Sequence, residues 1–475
     1  MSWWTFACTT PGRQCSRQNN TKEKGQSYSR TMNAQLQEEL QAAFTAPIES
    51  VQRSTPYKVG VFLVAVPMVL LPIVYFALAA GVAYAVYWHV THHESVLDDR
   101  LGYVLLVYVA PLVVGTIVVM AMIVPLIPRA RQKDAPSYLI TKASEPLFYD
   151  FVALICKSIE APMPKHIELI MAPTAGAFLR HGFLSVFFPQ DLGLLVGVPL
   201  IASLDVQQLA SVLGHELGHF RQGVGIRVSH LIDTVHGWFK KTIYEGGSLD
   251  RKLDEFRGRA GIYRAIVLSA SQLSVLLMRG ILFIFLMLSY GISRFFSRQM
   301  EYDADQYGIR IGGTSAFESM LQRLEVLAIA WNVSVYMSIL TGQKRVFAED
   351  LVRLAESGME PYALRGQDRI AKSMSARDAH PFDTHPSIHE RIAEARMHAA
   401  SGICSIKRPA KDLFDNFDKV SSTMTVSFYS DVLEVAASEQ NLLPVDEYFA
   451  YVKDNHLDQL PKEIQQALVD LTPAQ

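Results

Sequence analysis

The stretch LGHELGHF (residues 213–220) sets His215, Glu216 and His219 within five positions of one another. Two imidazoles four residues apart share one face of a helix. As neutral rings, both can reach one zinc ion. Glu216 follows the first histidine and can take a proton from water at such an ion. A catalytic zinc also needs a third protein ligand and an open position. The later stretch FFSRQMEYDADQYG offers Glu301 and Asp305, again four apart. Glu301 can complete the ligand set, and Asp305 can hold a ligand histidine through its other ring nitrogen. Spacing alone reads equally well as a solvated acidic turn at a helix end, so this pair gains meaning only from its partners.

These residues need a helix to carry them. Residues 192–201 (LGLLVGVPLI) are rich in Leu and Val and read as a strand. Ser203 or Asp205 can cap the helix that follows. Leu209, Val212, Leu213, Leu217 and Phe220 then recur at helical spacing, which puts His215 and His219 on that helix.

The composition sets the surroundings. The 475 residues are 50% hydrophobic and 19% charged, with net charge −2. That is apolar for a soluble protein, and no basic excess supports nucleic-acid binding. The length allows two or three domains. Cys8, Cys15, Cys156 and Cys404 are scattered without CxxC spacing, so no disulfide framework or cysteine zinc site is expected. Cys156, in FVALICKSI, is expected as a buried free thiol.

Residues 59–88 and 101–128 contain no charged side chain. Each exceeds the roughly 20 residues needed to cross a bilayer. Tyr84, Tyr87 and Trp88 suit an interfacial belt. Lys and Arg concentrate before the first run (Arg13, Arg17, Lys22, Lys24, Arg30, Arg53, Lys58) and after the second (Arg129, Arg131, Lys133). The connecting loop has only Arg100, so both flanks are expected in the cytoplasm and the spans form a hairpin. Residues 1–30 read as disordered. Met32, an alternative start, precedes NAQLQEELQAAF, which reads as a short amphipathic helix.

The segment between His219 and Glu301 is constrained by topology. Both must meet at one ion, so the chain between them crosses the membrane an even number of times. Residues 265–293 form a long apolar run divided by Arg279, while 224–239 carries Arg227, His230, Asp233 and His236 and makes a poor span. The expectation is a long helix packed in the catalytic domain or along the bilayer surface. Short re-entrant helices broken at Arg279 and Gly280 are the second choice. Residues 245–261 are polar and Gly-containing, a flexible loop that can gate the cleft.

The order HELGH, then EYDAD, then THPSIHERI (384–392) resembles the HtpX-like membrane zinc metallopeptidases, the family that also contains the CaaX prenyl proteases. The resemblance covers roughly residues 136–398 and the two spans before them. It implies His215, His219 and Glu301 as ligands of one Zn2+ per chain, Glu216 as catalytic base and Asp305 behind the ligands. It also brings His385 and Arg391 near the site as catalytic supports for substrate or oxyanion. Thr384 would cap that helix, with Pro386 in its first turn. His389 reads as a surface residue rather than part of a second metal pair.

The implied fold is mainly α with a small β-sheet. It comprises a cytoplasmic N-terminal segment (1–57), two transmembrane helices (58–128), a zincin-type α+β metallopeptidase domain (129–400) and a helical accessory region (401–475). The implied function is a membrane-anchored zinc endopeptidase of protein quality control. It would hydrolyse misfolded or membrane-associated proteins on the cytoplasmic side, at the inner or plasma membrane if bacterial. Its partners are protein or peptide substrates and the lipid bilayer. Two alternatives stay open: a processing protease for lipidated or specific peptides, and a non-catalytic, zinc-containing peptide-binding protein. Residues 192–201 are expected to bind peptide by strand addition.

Overall fold

The computed structural model describes residues 33–45, 47–48, 55–98, 100–123, 137–179, 192–244, 262–359, 386–433 and 441–455. The N-terminal residues expected to be irregular, the loop 245–261, Thr384 and His385 lie outside these.

Thirteen helices and six strands are named here in chain order. The helices are α1 (33–43), α2 (Thr55–His92), α3 (Leu101–Ile123), α4 (Pro146–Ile159), α5 (Val198–Ser203), α6 (Val206–Arg221) and α7 (Val224–Tyr244). They continue with α8 (Ile262–Gly312), α9 (Thr314–Gly342), α10 (351–359), α11 (Ile388–His398), α12 (Phe417–Asp431) and α13 (Val445–Asp454). The strands are β1 (Ser137–Ile140), β2 (His166–Ile170), β3 (Ala175–Leu179), β4 (Leu192–Gly197), β5 (Phe347–Ala348) and β6 (Leu442–Leu443). The chain is therefore mainly helical with a small mixed sheet.

Two apolar bodies meet at the site. The first is built on the sheet, whose strand order is β1-β2-β4-β3, with β2 and β4 parallel and both outer pairs antiparallel. Phe148, Phe151, Val152, Ile155 and Cys156 of α4 form its buried face, as their helical spacing requires. Cys156 is a buried free thiol, as expected. Leu36 and Leu40, one turn apart in α1, bury into the same core. So do Phe417, Met424 and Phe428 of α12 and Val445, Tyr448 and Val452 of α13.

The second body joins α2, α3, α7 and α8 through Met68, Tyr75, Met122, Leu231, Val235, Phe239, Leu282 and Leu286. The opposite faces of α2 and α8 are exposed and apolar, with Phe62, Leu63, Leu70 and Ile73 on α2 and Leu273, Leu276, Leu277 and Ile284 on α8. An apolar face outside an apolar core is what a bilayer solvates. Among the described residues, four helices are long and apolar enough to cross a membrane: Gly60–His92, Leu101–Ile123, Ile266–Gly312 and Thr314–Gly342. The last of these buries Phe317, Met320, Leu321, Leu327 and Trp331 in the first body.

α8 is a single long helix, as expected, and α7 pairs with it. α8 runs unbroken through Arg279 and Gly280, so no re-entrant pair forms there. Its last turns pack on α6 in the sheet body, while its earlier turns pack along α2, α3 and α7. α7 lies antiparallel beside it, with His236 against Tyr290 and Phe239 against Phe285. α7, of 21 residues, runs beside only the later part of the 51-residue α8, from the Phe239–Phe285 contact to the turn where Glu301 meets His219. α7 carries Arg227, His230, Asp233 and His236, yet Leu231, Val235 and Phe239 bury in the bundle.

Candidate metal centre and active-site cleft

The helix that carries the motif is started by Asp205. Its carboxylate accepts from Gln208 N at 2.7 Å, while Gln208 Oε1 accepts from Asp205 N at 3.2 Å, a reciprocal cap. α6 then crosses the last turns of α8 at close range. The motif glycines make this possible. A Cβ at Gly214 would stand 2.6 Å from Ile311 Cδ1, and one at Gly218 would stand 2.9 Å from the Tyr307 ring. From the other side, a Cβ at Gly308 would stand 2.7 Å from the Ser211 carbonyl oxygen. Small residues on both helices let the backbones approach, and that approach carries Glu301 and Asp305 to the histidines.

Three donor atoms converge there. His215 Nε2 and His219 Nε2 are 3.3 Å apart. Glu301 Oε2 is 3.5 Å from the first and Oε1 is 3.6 Å from the second. Ligands held about 2.1 Å from one tetrahedral ion stand about 3.4 Å apart. Each separation, one to either oxygen of the Glu301 carboxylate, is close to that between neighbouring ligands of one zinc ion. Two imidazole nitrogens and a carboxylate turned to a common point form a donor set that fits a cation, and among the described residues this is the one such group of three found.

The supports behind the triangle are ordered. Asp305 Oδ1 is 2.8 Å from His215 Nδ1. Arg391 clamps Asp305 with Nε at 2.9 Å and Nη2 at 2.6 Å, and the same Nη2 lies 3.4 Å from His215 Nδ1. The guanidinium is buried, so this two-pronged pair is what keeps its charge there. Arg391 belongs to α11, which starts at a cap made by Ser387 and Glu390. Ser387 thus takes the place expected of Thr384, and Pro386 precedes the helix rather than entering its first turn. Glu390 also receives Arg298 Nη2 from α8 at 2.5 Å, which docks α11 beside the site. His389 is exposed, as expected of a surface position.

Burial and charge divide the titrations. Burial opposes a charge on His215, but the hydrogen bonds of Asp305 and Glu301 outweigh it and raise its pKa to about 10. Burial pushes His219 down to about 4 against the pull of Glu301. Burial lifts Glu216 to about 7, helped by Glu301 and opposed by His215.

A cleft of about 470 Å³ opens over these groups. Its walls include Thr174 to Phe178 of the β3 edge, Glu216, and Ile226, Ser229, His230 and Asp233 of α7. Glu216 Oε2 accepts a hydrogen bond from the Ala177 backbone N–H at 3.1 Å. The strand at the cleft is β3. The expected peptide-binding strand, residues 192–201, is instead the interior β4, paired on both sides, and it ends at Gly197 where α5 begins. A strand with both edges occupied cannot add another. A run of Leu and Val marks burial, and burial is what an interior strand has.

Fold and site together define a zinc-dependent metallopeptidase class. Residues 151–399, more than half of the chain, match the model of peptidase family M48, and the chain belongs to that family. Its relatives are HtpX-like. It is 26% identical over 265 residues to the "Protease HtpX homolog" of Kineococcus radiotolerans, covering 55% of this chain and 76% of that one. It is 28% identical over 153 residues to "Protease HtpX" of Pseudomonas putida, covering 32% and 48%. With "Protease HtpX" of Acinetobacter baylyi it shares 25% identity over 235 residues, covering 47% and 65%. No solved structure matches the chain at a significant level.

Further signals of the site lie in the sequence. Gly214 and Gly218 inside the motif and Gly308 and Gly312 after EYDAD mark the helix crossing. Ser387 and Glu390 have capping-box spacing. The Ala177 N–H has no sequence signature, because a backbone donor looks the same in every residue.

Proposed function

We propose that this chain is a membrane-anchored zinc endopeptidase that hydrolyses misfolded or membrane-associated proteins from the cytoplasmic side, with one zinc ion per chain. The observation that carries the reading is the His215, His219 and Glu301 triangle with Glu216 beside it at the floor of an open cleft. His215, His219 and Glu301 would hold the ion, which when bound supplies Lewis acidity that activates water and polarises the scissile carbonyl. Glu216 takes the proton of the attacking water and later delivers it to the leaving amine. Its raised pKa suits both steps, since a base near 7 gives up its proton readily. Asp305 fixes the His215 ring, and Arg391 fixes Asp305. Both are positioning residues in this account. The edge of β3 offers its outward N–H and C=O groups to an extended substrate. HtpX-like relatives and the exposed apolar bundle support a substrate at or near the membrane. The Lys and Arg flanking the two N-terminal spans support a cytoplasmic site.

The test is digestion of casein in detergent with added zinc, by wild type beside Glu216→Gln. Cleavage by wild type alone is expected, with a loss of at least about a hundredfold in the variant. Equal cleavage by both would remove Glu216 as base. Zinc bound by both without cleavage by either would favour a narrow processing enzyme or a binding protein.

A further inference from the structure

We propose that Gln222 is a positioning residue of the metal centre, holding His219 by its Nδ1 atom and tying it to the turn of α8 that carries Glu301. The proposal rests on the reading of His215, His219 and Glu301 as a zinc site.

Gln222 closes α6 and is buried at 3% exposure. It stands three residues after His219, one helical turn on, so both side chains leave the same face. Its Nε2 donates to the Met300 carbonyl oxygen at 2.7 Å. Its Oε1 lies 3.4 Å from His219 Nδ1. A carbonyl only accepts, so the Met300 contact fixes which end of the amide is nitrogen. Oε1 must then face the imidazole, and only a protonated Nδ1 satisfies it. The Nε2 lone pair of His219 is thereby left facing His215 Nε2 and Glu301, where a cation would sit.

The two histidines are thus oriented by different means. His215 is held by a carboxylate that Arg391 clamps. His219 is held by a neutral amide that bridges two elements. A carboxylate at position 222 would also accept from Nδ1, but it would have to turn an oxygen toward the Met300 carbonyl. Glutamine satisfies both neighbours, and Met300 is the residue immediately before Glu301. One side chain therefore sets the ring of one ligand against the backbone that places another. Gly223, with φ of 63°, begins the turn into α7 directly after it. Gln222 thus stands at the joint between the sheet body and the membrane-facing bundle.

The experiment uses the full chain in detergent, stripped of metal and titrated with zinc against a chromophoric chelator. The variants are Gln222→Leu, Gln222→Lys and Gln222→Glu, each with its metal-free melting temperature and its Co2+ absorption spectrum. Gln222→Leu and Gln222→Lys remove the acceptor and are expected to weaken zinc binding 10- to 100-fold. Gln222→Glu keeps the acceptor for Nδ1 but sets an oxygen against the Met300 carbonyl, so it is expected to lose less affinity than Gln222→Leu while keeping the wild-type Co2+ band shape. The melting temperatures separate misfolding from loss of the ligand. Wild-type affinity in Gln222→Leu, or equal loss in Gln222→Leu and Gln222→Glu, would overturn the role. A wild type that binds no zinc would overturn the zinc reading itself and this role with it, whereas binding indifferent to position 222 would overturn this role alone.

Discussion

Which atoms carry protons decides how the cluster behaves. Without metal, His215 holds its second proton up to a pKa of about 10, while His219, at about 4, is already neutral at pH 7. Ligation through His215 Nε2 requires that proton to leave. Zinc uptake is therefore expected to release one proton near neutrality, and affinity should rise by about tenfold per pH unit from pH 7 to 9. A chelator-competition titration across that range checks it, and a flat profile would mean that His215 is already neutral in the metal-free protein. Glu216 accepts protons only when ionised. Its pKa of about 7 sets an upper bound for the acid limb of kcat/KM, because a cation beside it favours the charged form. Cleavage should therefore fall as pH drops through or below 7. Arg391→Ala would leave Asp305 buried without its clamp, at a cost of about 3–5 kcal/mol in chemical denaturation. Spacing made His215, Glu216, His219, Glu301 and Asp305 legible, because a metal and its base need particular side chains at particular intervals. Gln222 was not legible, since glutamine at a helix end acquires meaning only when Met300 arrives from 78 residues away.

Among the elements, the crossing of α6 and α8 matters most. A methyl at Gly308 meets the Ser211 carbonyl oxygen, part of a rigid helix backbone, whereas a methyl at Gly214 meets the flexible end of Ile311. Gly308→Ala should accordingly be the more harmful, costing about 1–3 kcal/mol and weakening zinc binding by parting the two helices. Gly214→Ala should cost less on both counts, and parallel melts and metal titrations would show the order. The motif helix was readable down to its cap, because Asp205 and the apolar periodicity are local signals. The strand was half readable. Residues 192–197 are extended as expected, but edge or interior is a property of the sheet, and β3 is too short and small-residued (AGAFL) to stand out in the sequence. α8 was readable as a long apolar helix. Its packing was not, because the antiparallel partner α7 is too polar to read as a span.

Over the whole molecule, a sheet body and an apolar bundle share α8, and the site sits where they join. The apolar excess of the composition goes to the exposed faces of α2, α3 and α8. On the proposed orientation, a cysteine placed in the turn Glu94–Asp98 should react with an impermeant maleimide from the non-cytoplasmic face of sealed vesicles. One placed at exposed Met397 should react only after permeabilisation. The reverse pattern would turn the site outward. The two spans and the HELGH, EYDAD and HERI order were legible because each is a contiguous run, while the bundle required contacts across hundreds of residues. The central claim is that His215, His219 and Glu301 hold one zinc ion with Glu216 as base and not ligand. The most direct measurement is the zinc content of the purified wild type, Glu216→Gln and Glu301→Ala chains by elemental analysis. The account predicts about one equivalent in the first two and a large loss in the third. Equal zinc in all three, or none in the wild type, would contradict it.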